Sequence, residues 1–272
     1  MKKSPVLLVV SGFLTENDNS WFNRIKAGCD LDVRYYKWES ANLLSILSST
    51  IANKRGLYTL LPLRTSPLLS SISIPLKARQ AWYNATKEAV NNRDKLAFVI
   101  NEIYDKEKRN VIIMGHSLGT RLINNALPYI KNDNTLLTIS MAGATPITSY
   151  TENIMKMTHE SKMGHLNIYS EHDKVLNMIY PLVESVTPIG VRKVRFRPGR
   201  IINWNWSIGH TEYITSKKIE SLIHWLNITC TDLVDPDVEI TDREIKSIHD
   251  IIDLANLTHH EDTTMPELTS LK

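Results

Sequence analysis

Glycine and cysteine are scarce in this sequence of 272 residues, which contains ten glycines and two cysteines. The cysteines, Cys29 and Cys230, are too few for a disulfide framework or a thiolate metal site, although a single bridge between them stays open. No apolar run reaches the roughly 18 uninterrupted residues of a membrane-spanning helix. These absences exclude a disulfide-built scaffold and predict a soluble globular protein.

Sequence fingerprints of bound cofactors are also missing. Neither a G-x-G-x-x-G nor a G-x-x-x-x-G-K-[ST] pattern occurs, so we expect neither a dinucleotide nor a nucleoside triphosphate. The adjacent residues His259, His260, Glu261 and Asp262 lie in a polar terminal segment, where they are better interpreted as solvated side chains than as metal ligands. The sequence therefore predicts a protein without a cofactor and without a metal ion.

Acidic residues are distributed very unevenly along the chain. None occurs from residue 40 to residue 87 or from residue 185 to residue 211, whereas the segment after Cys230 holds eleven against three basic residues. That segment carries a net charge of −8 and the rest of the chain carries +11, for a total of +3. A capping-box spacing from Thr241 to Glu244 indicates a helix there. We therefore expect an acidic C-terminal helix and tail at residues 231–272, distinct from a basic body.

Apolar runs of strand length alternate with helical patterns through the body of the chain. The first run, Pro5 to Ser11, follows two lysines as in a signal peptide, but Gly12 interrupts the apolar part and a buried strand is the better interpretation. The alternation predicts a mainly parallel sheet with helices on both faces, in one α/β domain at residues 1–230 with an insertion at residues 40–77. The expected strands are PVLLVVS, LDVRYYKW, NVIIMG, TLLTISMAG, LNIYS, VRKVRF and RIINWNW, and the expected helices are Trp21–Gly28, Ala78–Glu107, Leu118–Ile130, Val175–Pro181 and Ser216–Leu226.

Two of the ten glycines, Gly115 and Gly119, flank Ser117 in the sequence GHSLG. A strand pattern ends at Gly115 and a helical pattern begins at Leu118, so Ser117 falls on a strand-to-helix turn. This is the G-x-S-x-G nucleophile elbow in the context that the motif requires, and it predicts the α/β-hydrolase fold. The glycines are needed because the strand and helix backbones approach the serine too closely to leave room for a Cβ atom.

A serine hydroxyl is a weak nucleophile and needs a histidine base that a carboxylate orients. Asp173 follows the strand LNIYS and His210 follows RIINWNW, in the chain order expected for this fold. His172 is the alternative base, but His210 follows the last long strand and precedes a helix. Glu171 is the alternative acid, and Asp173 is preferred for its shorter side chain at the later position. The predicted catalytic triad is therefore Ser117, Asp173 and His210.

Acyl transfer also requires two donors for the developing oxyanion. The backbone N–H of Leu118, directly after the nucleophile, is the expected first donor. The expected second donor is the N–H of Phe13, because Gly12 at the end of the first strand would let the backbone curl toward Ser117. The alternative is that Gly12 is an ordinary turn glycine.

Six stretches of the sequence together resemble one α/β-hydrolase family, the one typified by transmembrane and coiled-coil domain-containing protein 4. The resemblance extends over about residues 5–226 and implies a hydrolase domain that lacks the hydrophobic spanning segments of the larger members. It implies Ser117 as nucleophile, Asp173 as acid and His210 as base, with Gly12 and Phe13 at the oxyanion loop. The stretches are SGFLTENDNSW from Ser11, YKWES from Tyr36, GHSLGTRLI from Gly115, MAGATP from Met141, IYSEHDKVL from Ile168 and GHTEY from Gly209.

The insertion at residues 40–77 is apolar and cationic together, which suggests what the protein acts on. One interpretation is a lid over an ester-binding groove, with Lys54, Arg55 and Arg64 meeting anionic headgroups. The other is that its leucines pack on the core and its charges are solvated. The lid interpretation favours a serine esterase or lipase that cleaves lipid or phospholipid esters. The same triad also serves thioesterases and acyltransferases, and a non-catalytic membrane- or partner-binding protein on this fold is the competing hypothesis.

The basic stretch at residues 185–211 raises the question of nucleic acid. No recognition helix or stacking platform accompanies its five basic residues, so we expect no nucleic-acid partner and interpret them as solvated or paired with the acidic tail. The expected partner is an ester or lipid substrate, with peripheral contact to an anionic membrane left open. The oligomeric state is not predicted. A cytoplasmic location is expected, with peripheral membrane association or export without a signal peptide as alternatives.

Overall fold

A computed structural model describes residues 3–12, 20–38, 76–131, 134–157, 163–195 and 201–232 of the chain. Within these ranges strands and helices alternate, as the apolar periodicity predicts. The strands are β1 Val6–Val10, β2 Asp32–Tyr36, β3 Val111–His116, β4 Thr135–Met141, β5 Gly164–Tyr169 and β6 Ile201–Asn205. The helices are α1 Ser20–Gly28, α2 Leu76–Asn91, α3 Arg93–Glu107, α4 Leu118–Ala126, α5 Ile147–Lys156, α6 Tyr180–Glu184, α7 Glu212–Thr215 and α8 Lys218–Asp232, with short 3₁₀ turns at Leu127–Tyr129 and Ile189–Val191 and a π-helical turn at Val175–Ile179.

The six strands form one sheet in the order β2-β1-β3-β4-β5-β6, and every neighbouring pair is parallel. All residues of the central strands β1 and β3 are buried, whereas the edge strands β2 and β6 are partly exposed. Continuous apolar strands of this kind occur where helices cover both faces of a sheet. The sheet brings the carboxyl ends of β3, β5 and β6 to one edge, which is where ligands bind in folds of this type.

The helices lie in two layers because the chain reverses direction across the sheet. The connection from β1 to β2 runs toward one edge, while the connections from β2 to β3 and onward run toward the other. Right-handed crossovers therefore place α1 on the face opposite to α3, α4 and α5. The contacts agree, since α4 packs against α2, α3 and α5 and α1 packs against α8. These features confirm the predicted α/β-hydrolase fold.

Three local predictions differ from the structure. The helical pattern over Ala78–Glu107 is broken at Asn92 into the two helices α2 and α3. Helix α5, whose sequence is rich in Thr and Ser, was not expected. The stretch VRKVRF was expected to be a strand, but residues 192–195 form no regular structure. The reason is a side chain: Asn203 of β6 accepts the Val194 N–H at 2.8 Å and donates to the Val194 carbonyl at 3.0 Å. Both backbone groups of Val194 are thereby used without a second strand.

Most of the insertion and the acidic tail lie outside the described residues. Only the last two residues of the 40–77 insertion are described, and they form the first turn of α2. The proposed lid therefore stays a prediction. At the other boundary, α8 continues through Cys230 to Asp232. Among the described helices, none combines the length and the apolar character that crossing a bilayer requires.

Four charged side chains near the amino ends of β2 and β3 form an ion-pair network. Asp32 accepts hydrogen bonds from Arg34 and Arg109, each at 2.7 Å, and Glu107 accepts two from Arg34 at 2.6 and 2.8 Å. The Arg34 hydrogen bonds hold the pKa of Asp32 and the pKa of Glu107 below their usual values, against a smaller opposing effect of burial. The network joins β2 to the end of α3.

Acid is expected to weaken the fold partly through this network. The folded-state pKa values of Asp32 and Glu107 lie below their unfolded values of about 4, so the stabilisation is present above that pH and is lost as the pH falls through the folded-state values. The side chains of Arg34, Asp32 and Glu107 are 34–38% exposed, which limits their contribution to about 1 kcal/mol. Arg34→Met should lower the free energy of unfolding by about that amount near pH 7 and by much less near pH 3, as measured by urea unfolding.

The matched control for this measurement is Lys131→Met, which removes a more exposed ion pair with Asp105. It should change the unfolding free energy less than Arg34→Met at neutral pH, because solvent screens the pair more strongly. An Arg34→Met loss that is the same at neutral and acid pH would contradict the assignment of acid sensitivity to the network.

Candidate active site

Ser117 occupies the turn between β3 and α4 in a backbone conformation that non-glycine residues rarely adopt, with φ 53° and ψ −121°. The flanking glycines are explained by distances. A Cβ atom on Gly115 would lie 3.0 Å from the backbone atoms Gly119 C and Thr120 N, and a Cβ atom on Gly119 would lie 2.8 Å from the Ser11 carbonyl oxygen. Backbone atoms at these distances cannot move aside as the end of a side chain can, so glycine at both positions is what allows β1, β3 and α4 to approach the serine this closely.

Hydrogen bonds hold the strained Ser117 backbone on both sides. Its N–H donates to the Met141 carbonyl at 3.0 Å. Its carbonyl accepts from the Thr120 hydroxyl at 2.6 Å, the Thr120 N–H at 3.2 Å and the Ala144 N–H at 3.1 Å. Such strain costs about 1–3 kcal/mol and persists only where the surroundings over-determine it. The turn therefore presents the serine hydroxyl in a defined direction.

The side chains of Ser117, His210 and Asp173 form a hydrogen-bonded chain. Ser117 Oγ lies 3.0 Å from His210 Nε2, and His210 Nδ1 lies 2.7 Å from Asp173 Oδ2. A carboxylate oxygen can only accept, so Nδ1 carries the proton and Nε2 is left to accept the serine proton. The residues Ser117, His210 and Asp173 are 4%, 6% and 0% exposed. The tertiary fold thus brings all three predicted triad residues together.

Asp173 is held in place by the backbone of its own loop. Its second carboxylate oxygen, Oδ1, accepts the N–H of Leu176 at 2.9 Å, and its own N–H donates to the Ser170 carbonyl at 3.2 Å. With Oδ1 committed to the backbone, Oδ2 faces His210. The neighbouring candidates Glu171 and His172 are both exposed on the turn that follows β5.

Ser170 connects the loop that carries Asp173 to the loop that carries His210, residues 207–211, which we call the base loop because His210 is the predicted base. Its hydroxyl donates to the Ile208 carbonyl at 2.6 Å and accepts the His172 N–H at 3.1 Å. Farther along the base loop, the Gly209 N–H donates to Glu212 Oε2 at 2.9 Å. The loop begins at Ser207, which has a positive φ of 51°. These contacts orient the segment that carries His210.

The predicted oxyanion donors are only partly described. Phe13 lies outside the described residues, so its role stays a prediction. Leu118 is the first residue of α4, where a backbone N–H has no acceptor within the helix. Gly12 packs directly on the elbow: a Cβ atom there would lie 2.3 Å from the carbonyl oxygen of His116. This close approach explains why Gly12 must be glycine, whatever the following residue does.

Two aromatic residues beside the predicted triad were not singled out from the sequence. His116 is fully buried, with its ring centroid 5.2 Å from that of His210, and Tyr213 packs 5.9 Å from His116 and stacks on Trp206. Burial lowers the pKa of His116 to about 3, and burial beside Asp173 raises the pKa of Tyr213 well above its usual value. Both residues belong to stretches already quoted, GHSLG and GHTEY, so their position within the motifs was an available signal.

Other parts of the described chain offer less for chemistry. Within the described ranges, no group of three His, Cys, Asp or Glu side chains is arranged to hold a metal ion. A surface cavity lies between α1 and α8, in the helix layer opposite to α4. Its lining contains an Arg24–Glu220 ion pair but none of the three triad residues. We therefore place the candidate site at the carboxyl edge of the sheet.

Comparison with known proteins adds the following findings. A family model described as "Protein of unknown function (DUF726)" matches residues 22–229. No protein of curated function matches the sequence significantly. Among solved structures, Aspergillus fumigatus lipase B matches with a TM-score of 0.47 and 13% identity, over 93% of this chain and 62% of the lipase. The Francisella virulence factor BioJ matches with 0.40 and 11%, over 85% of this chain and 78% of BioJ, and the esterase domain of a Rhodothermus marinus protein with 0.37 and 8%, over 84% and 88%. This chain thus spans less than two thirds of the lipase.

Proposed function

Since the chain belongs to the DUF726 family of proteins of unknown function, we propose its activity from the chemistry of its own site: it is a serine hydrolase that cleaves carboxylic esters through an acyl-serine intermediate. The observation that carries this proposal is the hydrogen-bonded chain from Ser117 Oγ through His210 to Asp173, with distances of 3.0 and 2.7 Å. A serine on a strained elbow, a base within hydrogen-bond reach and a carboxylate orienting that base are what nucleophilic acyl transfer needs.

The first half-reaction forms the acyl-serine. Ser117 Oγ attacks the carbonyl carbon of the ester while His210 Nε2 takes the hydroxyl proton. The carbonyl oxygen becomes an oxyanion, which the Leu118 N–H and, in the proposal, the Phe13 N–H stabilise. The tetrahedral intermediate collapses when His210 gives its proton to the leaving alcohol, and Asp173 stabilises the imidazolium in between.

The second half-reaction releases the acid. Water enters the space vacated by the alcohol and gives a proton to His210 Nε2 as its oxygen attacks the acyl carbon. His210 then returns the proton to Ser117 Oγ, and the carboxylic acid leaves. The protonation state of the site is the same at the end as at the start, so the cycle needs no cofactor.

The substrate class is the finer part of the proposal. Lipid or phospholipid esters are favoured by the apolar, acid-free composition of residues 40–77, where basic residues could meet anionic headgroups. The likeness of six sequence stretches to the family typified by transmembrane and coiled-coil domain-containing protein 4 supports the proposed nucleophile, acid and base, and it says little about the substrate. Peripheral contact with anionic membranes would follow from a lipid or phospholipid substrate.

A series of p-nitrophenyl esters of increasing acyl length tests the proposal, with the Ser117→Ala variant as the blank. We expect Ser117-dependent hydrolysis that increases with acyl length and increases again with anionic vesicles, because the nearly buried serine would gain access to substrate at an interface. Activity restricted to short chains and indifferent to vesicles would leave a serine esterase and remove the lipid preference. Wild-type rates equal to the blank, on esters and on thioesters alike, would favour a binding protein on a hydrolase fold.

A further inference from the structure

A second histidine, His116, makes a direct contact with the main chain of the base. Its Nε2 atom lies 3.1 Å from the carbonyl oxygen of His210. A carbonyl oxygen can only accept a hydrogen bond, so Nε2 must carry the proton and donate it. The contact is fully buried and joins residues 94 positions apart in the sequence. It is therefore a specific tertiary contact between the last residue of β3 and the base loop.

The opposite nitrogen of the His116 ring has a different environment. Nδ1 is buried and has no hydrogen-bond partner among the described residues, and it lies 3.4 Å from the point where a Cβ atom of Gly12 would stand. A second proton, added at Nδ1 while Nε2 keeps its own, would make the ring a cation with an unpaired donor in the core, which is costly. Burial, reinforced by the neighbouring His210, accordingly lowers the pKa of His116 to about 3. The ring stays neutral with its one proton directed at His210.

The contact of His116 with His210 links the nucleophile to the base loop. His116 immediately precedes Ser117, so the nucleophile and the ring that contacts the base loop are adjacent residues at the end of one buried strand. The base loop contains the positive-φ residue Ser207 and has no strand hydrogen bonds around His210. The contacts of Ser170 and Glu212 hold it at Ile208 and Gly209, not at His210 itself. The hydrogen bond from His116 acts on the His210 carbonyl itself and therefore fixes the position of the His210 main chain relative to Ser117.

We propose that His116 is a positioning residue, which holds the His210 backbone through its Nε2–H and thereby keeps the imidazole of His210 within reach of the Ser117 hydroxyl. This inference rests on the proposed serine hydrolase function for its effect on rate. The hydrogen bond and its effect on the base loop are testable without any activity. His116 takes no part in proton transfer, because its single proton is committed to a carbonyl oxygen.

Two variants separate the donor from the bulk of the ring. His116→Phe keeps an aromatic ring of similar size but removes the donor, and we expect kcat to fall roughly ten- to a hundredfold with KM little changed, since small misplacements of a catalytic group have effects of this size. His116→Gln keeps an N–H donor at a similar distance and should recover most of kcat. The matched control is His165→Phe, which removes the other buried histidine described on the sheet, hydrogen-bonded to Thr138 at 2.7 Å. It should leave kcat within about twofold of wild type.

Hydrogen exchange measured by mass spectrometry provides the readout that does not depend on turnover. The amides of residues 207–213 should exchange at least about tenfold faster in His116→Phe than in wild type, and at close to the wild-type rate in His116→Gln and His165→Phe. If the wild type shows no Ser117-dependent turnover, the proposed function is wrong and these exchange rates still decide the positioning role. Unchanged exchange in His116→Phe overturns it, as does a kcat within twofold of wild type in an active protein.

A measurement on the unmodified protein covers the case in which His116→Phe does not fold. Long-range ¹H–¹⁵N spectra of the histidine rings distinguish the two neutral tautomers. We expect His116 as the Nε2–H tautomer, unchanged from pH 6 to pH 8. An Nδ1–H tautomer would mean that no hydrogen bond is donated to His210, and the positioning role would be overturned.

Discussion

Replacing Ser117 with alanine is expected to lower kcat for ester hydrolysis by roughly 10⁵- to 10⁶-fold, because the acyl group loses the oxygen that accepts it. Whatever rate remains would come from binding and from the oxyanion donors, with water as the nucleophile. The loss is measured by initial rates on the best ester of the p-nitrophenyl series. Labelling by a fluorophosphonate provides an independent readout: intact mass should show one adduct on wild type and none on Ser117→Ala.

The strain at Ser117 allows a sharper control than the alanine variant alone. Ser117→Gly also removes the hydroxyl, but glycine adopts the φ of 53° without a steric cost. Ser117→Gly should therefore be more stable than Ser117→Ala by about 1 kcal/mol while being equally inactive. Denaturant unfolding of the two variants measures the difference. Equal stabilities would mean that the turn stores no strain, and a persisting fluorophosphonate adduct on either variant would place the nucleophile elsewhere.

Asp173→Asn is expected to lower kcat by about 10⁴-fold while leaving the shape of the site unchanged, a magnitude taken from the equivalent change in a serine protease. The reason is the direction of the amide. The Leu176 N–H requires an acceptor, so the asparagine Oδ1 stays where Asp173 Oδ1 accepts at 2.9 Å. The amide Nδ2–H₂ then faces His210 Nδ1, which can no longer be a donor. His210 would be forced into the Nε2–H tautomer, and it could not accept the proton of Ser117.

Glu171→Gln is the matched control for Asp173→Asn, since it neutralises the exposed carboxylate two residues away in the same loop. We expect kcat within about twofold of wild type, because a solvated charge at the surface contributes little to the site. A loss on Glu171→Gln comparable to that on Asp173→Asn would assign the orienting role to Glu171 and contradict the site proposed here. Thermal unfolding of both variants checks that neither effect comes from misfolding.

Some of the site could be predicted from the sequence because its requirements are local. The close approach of β1, β3 and α4 around Ser117 demands glycine at two fixed positions, and this demand is visible as the spacing of Gly115 and Gly119. The strand-to-helix turn was equally visible, since the apolar run that forms β3 changes directly into the helical pattern of α4. Alternation of strands and helices likewise predicted the parallel sheet.

Other features could not be predicted from the sequence because they depend on individual side-chain hydrogen bonds or on a local break in a helix. VRKVRF has the composition of a strand, but the side-chain amide of Asn203 takes both backbone groups of Val194 and no second strand forms. The pattern over Ala78–Glu107 could not reveal the break at Asn92 between α2 and α3. His116 is part of the GHSLG motif, but the sequence does not reveal the hydrogen bond that its ring donates to His210.

The sequence by itself determined the α/β class of the fold, the elbow around Ser117 and a short set of candidate acids and bases at strand ends. These depend on hydrophobic periodicity and on steric limits of the backbone, which act between near neighbours in the chain. The tertiary structure decided which of the candidates face one another. The contacts of His210 with Asp173 and with Ser117 join residues 37 and 93 positions apart. Contacts at such separations exist only because the sheet order places the carboxyl ends of β3, β5 and β6 along one edge, and no local pattern encodes that order.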